Sequence, residues 1–307
     1  MTIDINSPDD MTRILDEQDY ISSTATSTIV YLAIKMKRPI LVEGPAGVGK
    51  TELAKSISRA LNLELILLQC YEGLDETKAI YEWEYAKQLL YTQILKEKIN
   101  EVIGQDQDLT QSIKKLVALE DAFFSDHFLL QRPLLKAISC DKQPVLLIDE
   151  VDKSDPEFEA YLLEVLSTNQ ITIPELGTQY AKEIPIVFLT SNNTRDLSDA
   201  LKRRCLHLFI DYPTQELEEK IIRTRFPDMG KELVSKLVKA VHEIRDLEIK
   251  KKPSISETID WAESLLTLNI EDITAIELHR TLGTLSKYKT DMDEIIKHTD
   301  KVLGQSA

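Results

Sequence analysis

The chain has 307 residues, of which 43% are hydrophobic and 29% charged, a balance that supports a sizeable core and excludes general disorder. Its 37 basic residues stand against 52 acidic ones, a formal net charge of −15, which disfavours tracking a phosphate backbone or an anionic membrane. Cys70, Cys140 and Cys205 are isolated, so neither a disulfide frame nor a CxxC metal pair is expected, and no apolar run approaches the roughly 18 residues that span a bilayer.

The chain starts MTIDINSPDDMTR, acidic and polar, unlike a signal peptide; with the cysteine usage this points to a cytoplasmic protein that is not membrane-embedded. The first strand-like run, RPILVEG (38–44), leads into EGPAGVGKTEL (43–53), which satisfies G-x-x-x-x-G-K-[ST] between a strand and a helix. Gly44, Pro45, Ala46, Gly47, Val48 and Gly49 would form a loop wrapping phosphates, and Lys50, Thr51 and Glu52 open the helix whose N–H groups aim at them. Lys50 is expected to reach the β- and γ-phosphates, and Thr51 to hold Mg²⁺.

KTELAKSISRALN (50–62) has a helical pattern and LELILLQC (63–70) reads as the second strand. More than seventy residues then separate Cys70 from Pro144. Within them, 75–100 puts Ala79, Trp83, Ala86, Leu90 and Ile94 on one face at helical spacing, so 71–140 reads as a largely helical insertion rich in Tyr and Trp. That stripe serves packing, with a client or partner surface as the alternative.

PVLLIDE (144–150) delivers Asp149 to the carboxyl edge of a third strand, where α/β sheets bind ligands. Asp149 is a Mg²⁺ ligand candidate and Glu150 the candidate general base for an attacking water. In SDPEFEAYLLEVL (154–166), Ser154 and Glu157 fit a capping box. QITIPELGTQY (170–180) reads as a hairpin. IPIVFLTSN (184–192) ends a fourth strand in Asn192, preferred over Asn193 as a water or γ-phosphate contact because an amide both donates and accepts. ALKRRC (200–205) then places Lys202, Arg203 and Arg204 together before the fifth strand, CLHLFIDYP (205–213).

All five runs are near-continuous rather than alternating, as strands buried on both faces of a parallel sheet are. Residues 214–307 read as four or five helices punctuated by Pro227, Gly230 and Pro253, with Ser254 and Glu257 forming a capping box. The expected organisation is an α/β nucleotide-binding domain over 1–212 and a helical lid over 213–307. No N/T-K-x-D guanine reader follows a strand, so ATP is favoured over GTP. His127, His207, His242, His279 and His298 are scattered without metal-site spacing.

This pattern resembles the AAA+ ATPases. Four stretches resemble the MoxR family within them, and its CoxD-type subgroup linked to carbon monoxide dehydrogenase maturation: LQCYEGLDETKAIYEWEY (68–85), RPLLKAI (132–138), IDEVDKSDPEFEAYLLEVLSTNQITIPELGT (148–178) and LTSNNTRDLSDALKRRC (189–205). The resemblance implies a five-stranded AAA+ P-loop sheet and a ring, a hexamer. Arg204, or Arg203 as runner-up, would reach the neighbouring subunit's nucleotide, while Lys202 pairs with surface carboxylates. It implies remodelling of a protein client, with a metalloenzyme receiving its cofactor as the candidate, and a von Willebrand factor A domain partner; the 170–180 hairpin would face the pore or the client, with a plain surface hairpin as the alternative. One departure stands out: Ser256 occupies the position where relatives place a lid arginine, and Lys250, Lys251 or Lys252 would have to substitute. The rival readings are a clamp-loader-like, nucleic-acid-associated ATPase, disfavoured by the acidic charge, and a non-hydrolysing nucleotide sensor.

Overall fold

The five apolar runs form one parallel sheet in the order β2-β5-β8-β1-β9, where β1 is Ile40–Glu43, β2 Leu65–Gln69, β5 Val145–Asp149, β8 Ile186–Ser191 and β9 Leu206–Phe209. Two small antiparallel ribbons stand apart from it, β3 (Tyr81–Trp83) with β4 (Leu129–Gln131) and β6 (Gln170–Ile173) with β7 (Gly177–Tyr180). The computed structural model describes residues 5–91, 93 and 126–304.

The central strands β1, β5 and β8 are covered on both faces, which is why their runs are continuously apolar; the edge strands β2 and β9, expected to be the same, are buried on alternate residues only and leave Leu67 and Phe209 exposed. Along β1, β5 and β8 alternate side chains enter different cores. Ile40, Val42, Val145, Leu147, Ile186 and Phe188 pack with the helices Pro8–Asp16, Thr24–Met36 and Lys50–Leu61. Leu41, Leu146, Ile148, Val187 and Leu189 pack on the other side with the helices Pro133–Ser139, Pro156–Thr168 and Asp199–Arg204. Each such side chain, fully buried, contributes about 1.5–3 kcal/mol of transfer free energy.

After β9 the chain is helical: Gln215–Arg225, Lys231–Arg245, Ile255–Thr267, Ala275–Leu285, Lys289–Lys297 and the single turn Thr299–Val302. These enclose a separate core built around Trp261, Leu237 and Val241, and the last short turn takes the helices one past the expected four or five. Ser254 and Glu257 make the expected capping box.

Two local expectations fail. Trp83 lies in β3, paired with Leu129, and not on a helical stripe; Ala79 ends a one-turn helix, Ala86 and Leu90 are exposed, and Ile94 lies outside the described residues. Pairing with a strand far along the chain overrides the local period there. The described part of 71–140 is accordingly a mixture of strands and helices. Ser154 does not cap its helix either: its hydroxyl donates to the Val151 carbonyl at 2.7 Å, and Asp155 takes the N-cap position without a side-chain bond.

Candidate nucleotide site

The loop between β1 and the helix Lys50–Leu61 depends on glycine at two close approaches. Gly44 has φ +148°, and a Cβ there would sit 1.9 Å from the Ile210 carbonyl oxygen. Gly47 has φ +77°, and a Cβ there would meet Ser254 Oγ at 2.1 Å. The first lets the loop turn beside β9; the second lets the start of the helix Ile255–Thr267 touch the loop. Pro45, Ala46, Val48 and Glu52 complete the loop and helix start as expected from their order in the chain.

Lys50 is buried, and its three ammonium protons go to three oxygens: Gly44 O at 2.8 Å, Pro45 O at 2.6 Å and Asn192 Oδ1 at 2.7 Å. Burial pulls its pKa below the ordinary lysine value, opposed by the nearby carboxylates of Asp152, Asp149 and Glu150. Thr51 Oγ1 donates to Asp149 Oδ1 at 2.8 Å, across the boundary between the loop helix and β5. Thr190, from the neighbouring β8, donates to the same oxygen at 2.6 Å and accepts from the Glu150 N–H at 2.9 Å.

Glu150 sits in the left-handed region, φ 56° and ψ 49°, a conformation costing a non-glycine residue of order 1–2 kcal/mol. Its carboxylate accepts from Gln69 Nε2 at 2.9 Å, Lys153 Nζ at 2.7 Å and Asn192 Nδ2 at 3.1 Å. Asn192 therefore joins Lys50 to Glu150 through the two ends of one amide. Asn193, the alternative, accepts from Ser191 Oγ at 3.4 Å through its Oδ1, and its backbone N–H donates to the same hydroxyl at 3.0 Å.

Asp152, which sequence reasoning passed over, holds this arrangement from behind. It is 3% exposed and accepts from Asn192 N at 3.2 Å, Thr194 N at 2.9 Å and Thr194 Oγ1 at 2.6 Å. Burial raises its pKa, but those hydrogen bonds prevail and hold it below the usual aspartate value. Thr190 was missed as well. A hydroxyl inside a six-residue strand that is buried throughout was the available signal, since such a group needs a partner.

The basic cluster lies elsewhere. Arg203 and Arg204 end the helix Asp199–Arg204, and Leu206 just after it pairs with Ile40 at the start of β1, whereas the phosphate loop leaves from that strand's far end. Arg203 is exposed; Arg204 bonds to Ser167 Oγ and, at 3.2 Å, to the Ala200 carbonyl. Lys202 is 4.0 Å from Asp196. Arg38, also missed, donates to the carbonyls of Arg203 at 2.8 Å and of Arg204 and Cys205 at 3.3 Å, closing the helix end.

Ser256 meets the phosphate loop directly: its N–H and its hydroxyl both donate to Gly47 O, each at 3.2 Å. Lys250 and Lys251 are engaged away from it, Lys250 over the Tyr288 ring at 4.3 Å and Lys251 with Glu257 at 3.0 Å; Lys252 is exposed. A cleft of about 770 Å³ opens beside the loop, bounded by Tyr20, Gly49, Tyr212, Leu217 and Ile259. Among the described residues no group of three or more His, Cys, Asp and Glu side chains is arranged to hold a metal ion, and no helix is long and apolar enough to cross a membrane. A hydroxyl and a carboxylate in contact, Thr51 and Asp149, fit the oxygen donors a Mg²⁺ takes when phosphates and waters supply the rest.

Fold and site together define a P-loop nucleotide-binding protein with a helical C-terminal region. The chain belongs to the AAA domain family, dynein-related subfamily, which its residues 39–205 match. Among its relatives, the gas vesicle ATPase GvpN of Haloferax mediterranei is 24% identical over 245 residues, covering 76% of this chain and 65% of that protein. Lon protease 1 of Syntrophobacter fumaroxidans is 29% identical over 64% of this chain, which spans only 21% of the protease. An uncharacterized protein of Staphylococcus epidermidis is 24% identical over 76% of this chain and 78% of its own length. A mutant of Thermotoga maritima RuvB superposes on 92% of this chain and 71% of its own, with 16% identity and a TM-score of 0.47.

Proposed function

We propose that this chain is an ATP-hydrolysing AAA+ motor of the MoxR type that remodels a protein client. The observation that carries the reading is the linkage of Lys50 to Glu150 through Asn192, beside the Thr51–Asp149 pair. A pure nucleotide sensor needs the phosphate loop but no carboxylate held at this point by two amides and an ammonium. The gas vesicle relative, whose name makes it an ATPase, supports hydrolysis here too.

In this mechanism the loop N–H groups and Lys50 bind the phosphates; Thr51 and Asp149 would hold Mg²⁺, which would supply positive charge to offset that developing on the phosphate oxygens. Glu150 accepts the proton of the attacking water while Asn192 and Gln69 fix its orientation. Arg204, with Arg203 as the alternative, serves a neighbouring subunit's site, because its own lies at the other end of β1. That requires a homo-oligomeric ring, for which a hexamer is the form the MoxR resemblance implies.

The same resemblance supports a CoxD-like role in the cytoplasm, assisting metal-cofactor insertion into a client enzyme alongside a von Willebrand factor A domain partner. The net charge of −15 supports a protein client over nucleic acid. Phosphate release from ATP–Mg²⁺ by the purified chain, compared with Lys50→Ala, tests the core claim. Equal release by the two proteins would reject this site as the seat of hydrolysis. Stimulation by DNA or RNA would favour the clamp-loader-like alternative.

A further inference from the structure

We propose that Arg245 is a positioning residue of the nucleotide site: it ties the segment after β9 to the start of the helix Ile255–Thr267, so that Ser256 meets the phosphate loop at Gly47. The inference rests on the reading of the cleft as the nucleotide site and names the device that sets the lid there.

Arg245 lies on the helix Lys231–Arg245 and is 5% exposed, with no contact of its own to the phosphate loop. Its guanidinium forks onto Glu218, NH1 to Oε2 at 2.6 Å and NH2 to Oε1 at 2.8 Å, and Glu218 is fully buried. Its Nε donates to the Pro253 carbonyl at 2.7 Å, and its Cζ lies 5.1 Å from the Tyr212 ring centre. NH2 also reaches Thr258 Oγ1 at 3.4 Å, and Thr258 donates to Glu218 at 2.7 Å.

Those partners converge on one place. Tyr212 follows β9 and bounds the cleft, and Pro253 immediately precedes Ser254, the N-cap of the lid helix. Thr258 is in that helix's first turn. Two residues past the N-cap Ser254, Ser256 makes its two bonds to Gly47 O, and Gly47 has no room for a Cβ because Ser254 is against it. One buried side chain thus fixes three things at once: the cleft-wall tyrosine, the carbonyl before the cap and the first helical turn.

Stability alone is a weak reason for such a pair, since a buried ion pair is commonly matched or bettered by apolar residues of similar volume. What an apolar replacement would lose is direction. A planar, five-donor fork can hold Glu218, Pro253 and Tyr212 in fixed relation, and a lysine cannot. With Ser256 too short to span what a long side chain would, the helix start must be set accurately for two 3.2 Å bonds to form.

The test uses the full chain and ADP titration, with thermal melting as a control. Arg245→Lys keeps the charge beside Glu218, and Arg245→Met combined with Glu218→Gln removes the pair without leaving a bare buried charge. Both are expected to melt cooperatively and to weaken ADP binding about tenfold, the effect of one lost net hydrogen bond at the site. Adding Ser256→Ala to Arg245→Lys should then weaken binding less than it does in the wild-type background, because the two act through the same contact. Unchanged ADP affinity in well-folded variants would overturn the proposal, as would effects of Arg245→Lys and Ser256→Ala that simply multiply. Loss of the cooperative melt in both variants would assign the pair to folding and overturn it too. If the wild-type chain fails to bind ADP, the site reading itself falls, an outcome distinct from failure of the positioning role.

Discussion

Asn192 accepts from Lys50 Nζ at 2.7 Å through its oxygen, which leaves its amide nitrogen free to face Glu150, and that nitrogen donates to the carboxylate at 3.1 Å. The residue that would touch the phosphates and the residue that would activate water are thus linked through a single side chain. Asn192→Ala should lower ATP turnover about ten- to hundredfold with a smaller change in KM, since the loop and Lys50 remain. Asn192→Asp is the sharper variant. It keeps an acceptor for Lys50 but puts a carboxylate against Glu150, and its turnover should be no better than that of Asn192→Ala. Full activity in Asn192→Asp would remove the donor role from Asn192.

Glu150 holds a strained backbone and a carboxylate with three donors around it, an arrangement that stability does not require. Glu150→Gln preserves size and one acceptor while abolishing the base. ATP binding should be retained and hydrolysis fall by about 10²–10⁴. Calorimetric titration beside phosphate release separates the two, and loss of both together would mean that Glu150 builds the site instead of running it.

Much of this site was legible because its chemistry is carried by short, local spacings. The glycines and Lys50 declare themselves within eight residues, and Asp149 and Glu150 end a strand whose four preceding residues are all buried. Asn192 was readable for the same reason, as a polar tip on a buried strand. What stayed hidden depends on distant partners. Trp83 looks helical until Leu129, far along the chain, pairs with it. Ser154 carries a cap signature, yet the tight turn from Val151 takes its hydroxyl first. The bonding of Asp152 and Arg245 was visible only once Thr194, Glu218 and Pro253 were seen around them. The departure at Ser256 was visible, but its contact with Gly47 was not.

Asp152 offers a test that does not depend on catalysis. Its pKa is held below the ordinary aspartate value, so the folded state prefers the charged form, and its contribution to stability is present above the unfolded value of 3.8 and lost as pH falls through the lowered folded value. Asp152→Asn should therefore be less stable than wild type by about 1–3 kcal/mol in denaturant titrations at neutral pH. That gap should persist down to mildly acidic pH and shrink only below the ordinary aspartate range. A gap that closes between neutrality and pH values near 6 would implicate a different group.

Arg204 provides the decisive test of assembly. It stands before β9 at the end where Leu206 pairs with Ile40, so no motion short of rebuilding the sheet brings it to its own phosphate loop. Arg204→Ala and Glu150→Gln should each abolish turnover when studied alone, the former by up to about 10³–10⁵ if the guanidinium acts as arginine fingers do elsewhere. Mixed together, the two proteins should recover part of the activity: an Arg204→Ala subunit keeps its Glu150 and receives an intact arginine from a Glu150→Gln neighbour. Arg203→Ala in the same mixture decides between the two arginines. If the mixture stays as inactive as its parts, while native mass measurements show that mixed assemblies form with ATP–Mg²⁺, trans action is wrong. The cluster would then be an ordinary basic helix end, held in place by Arg38.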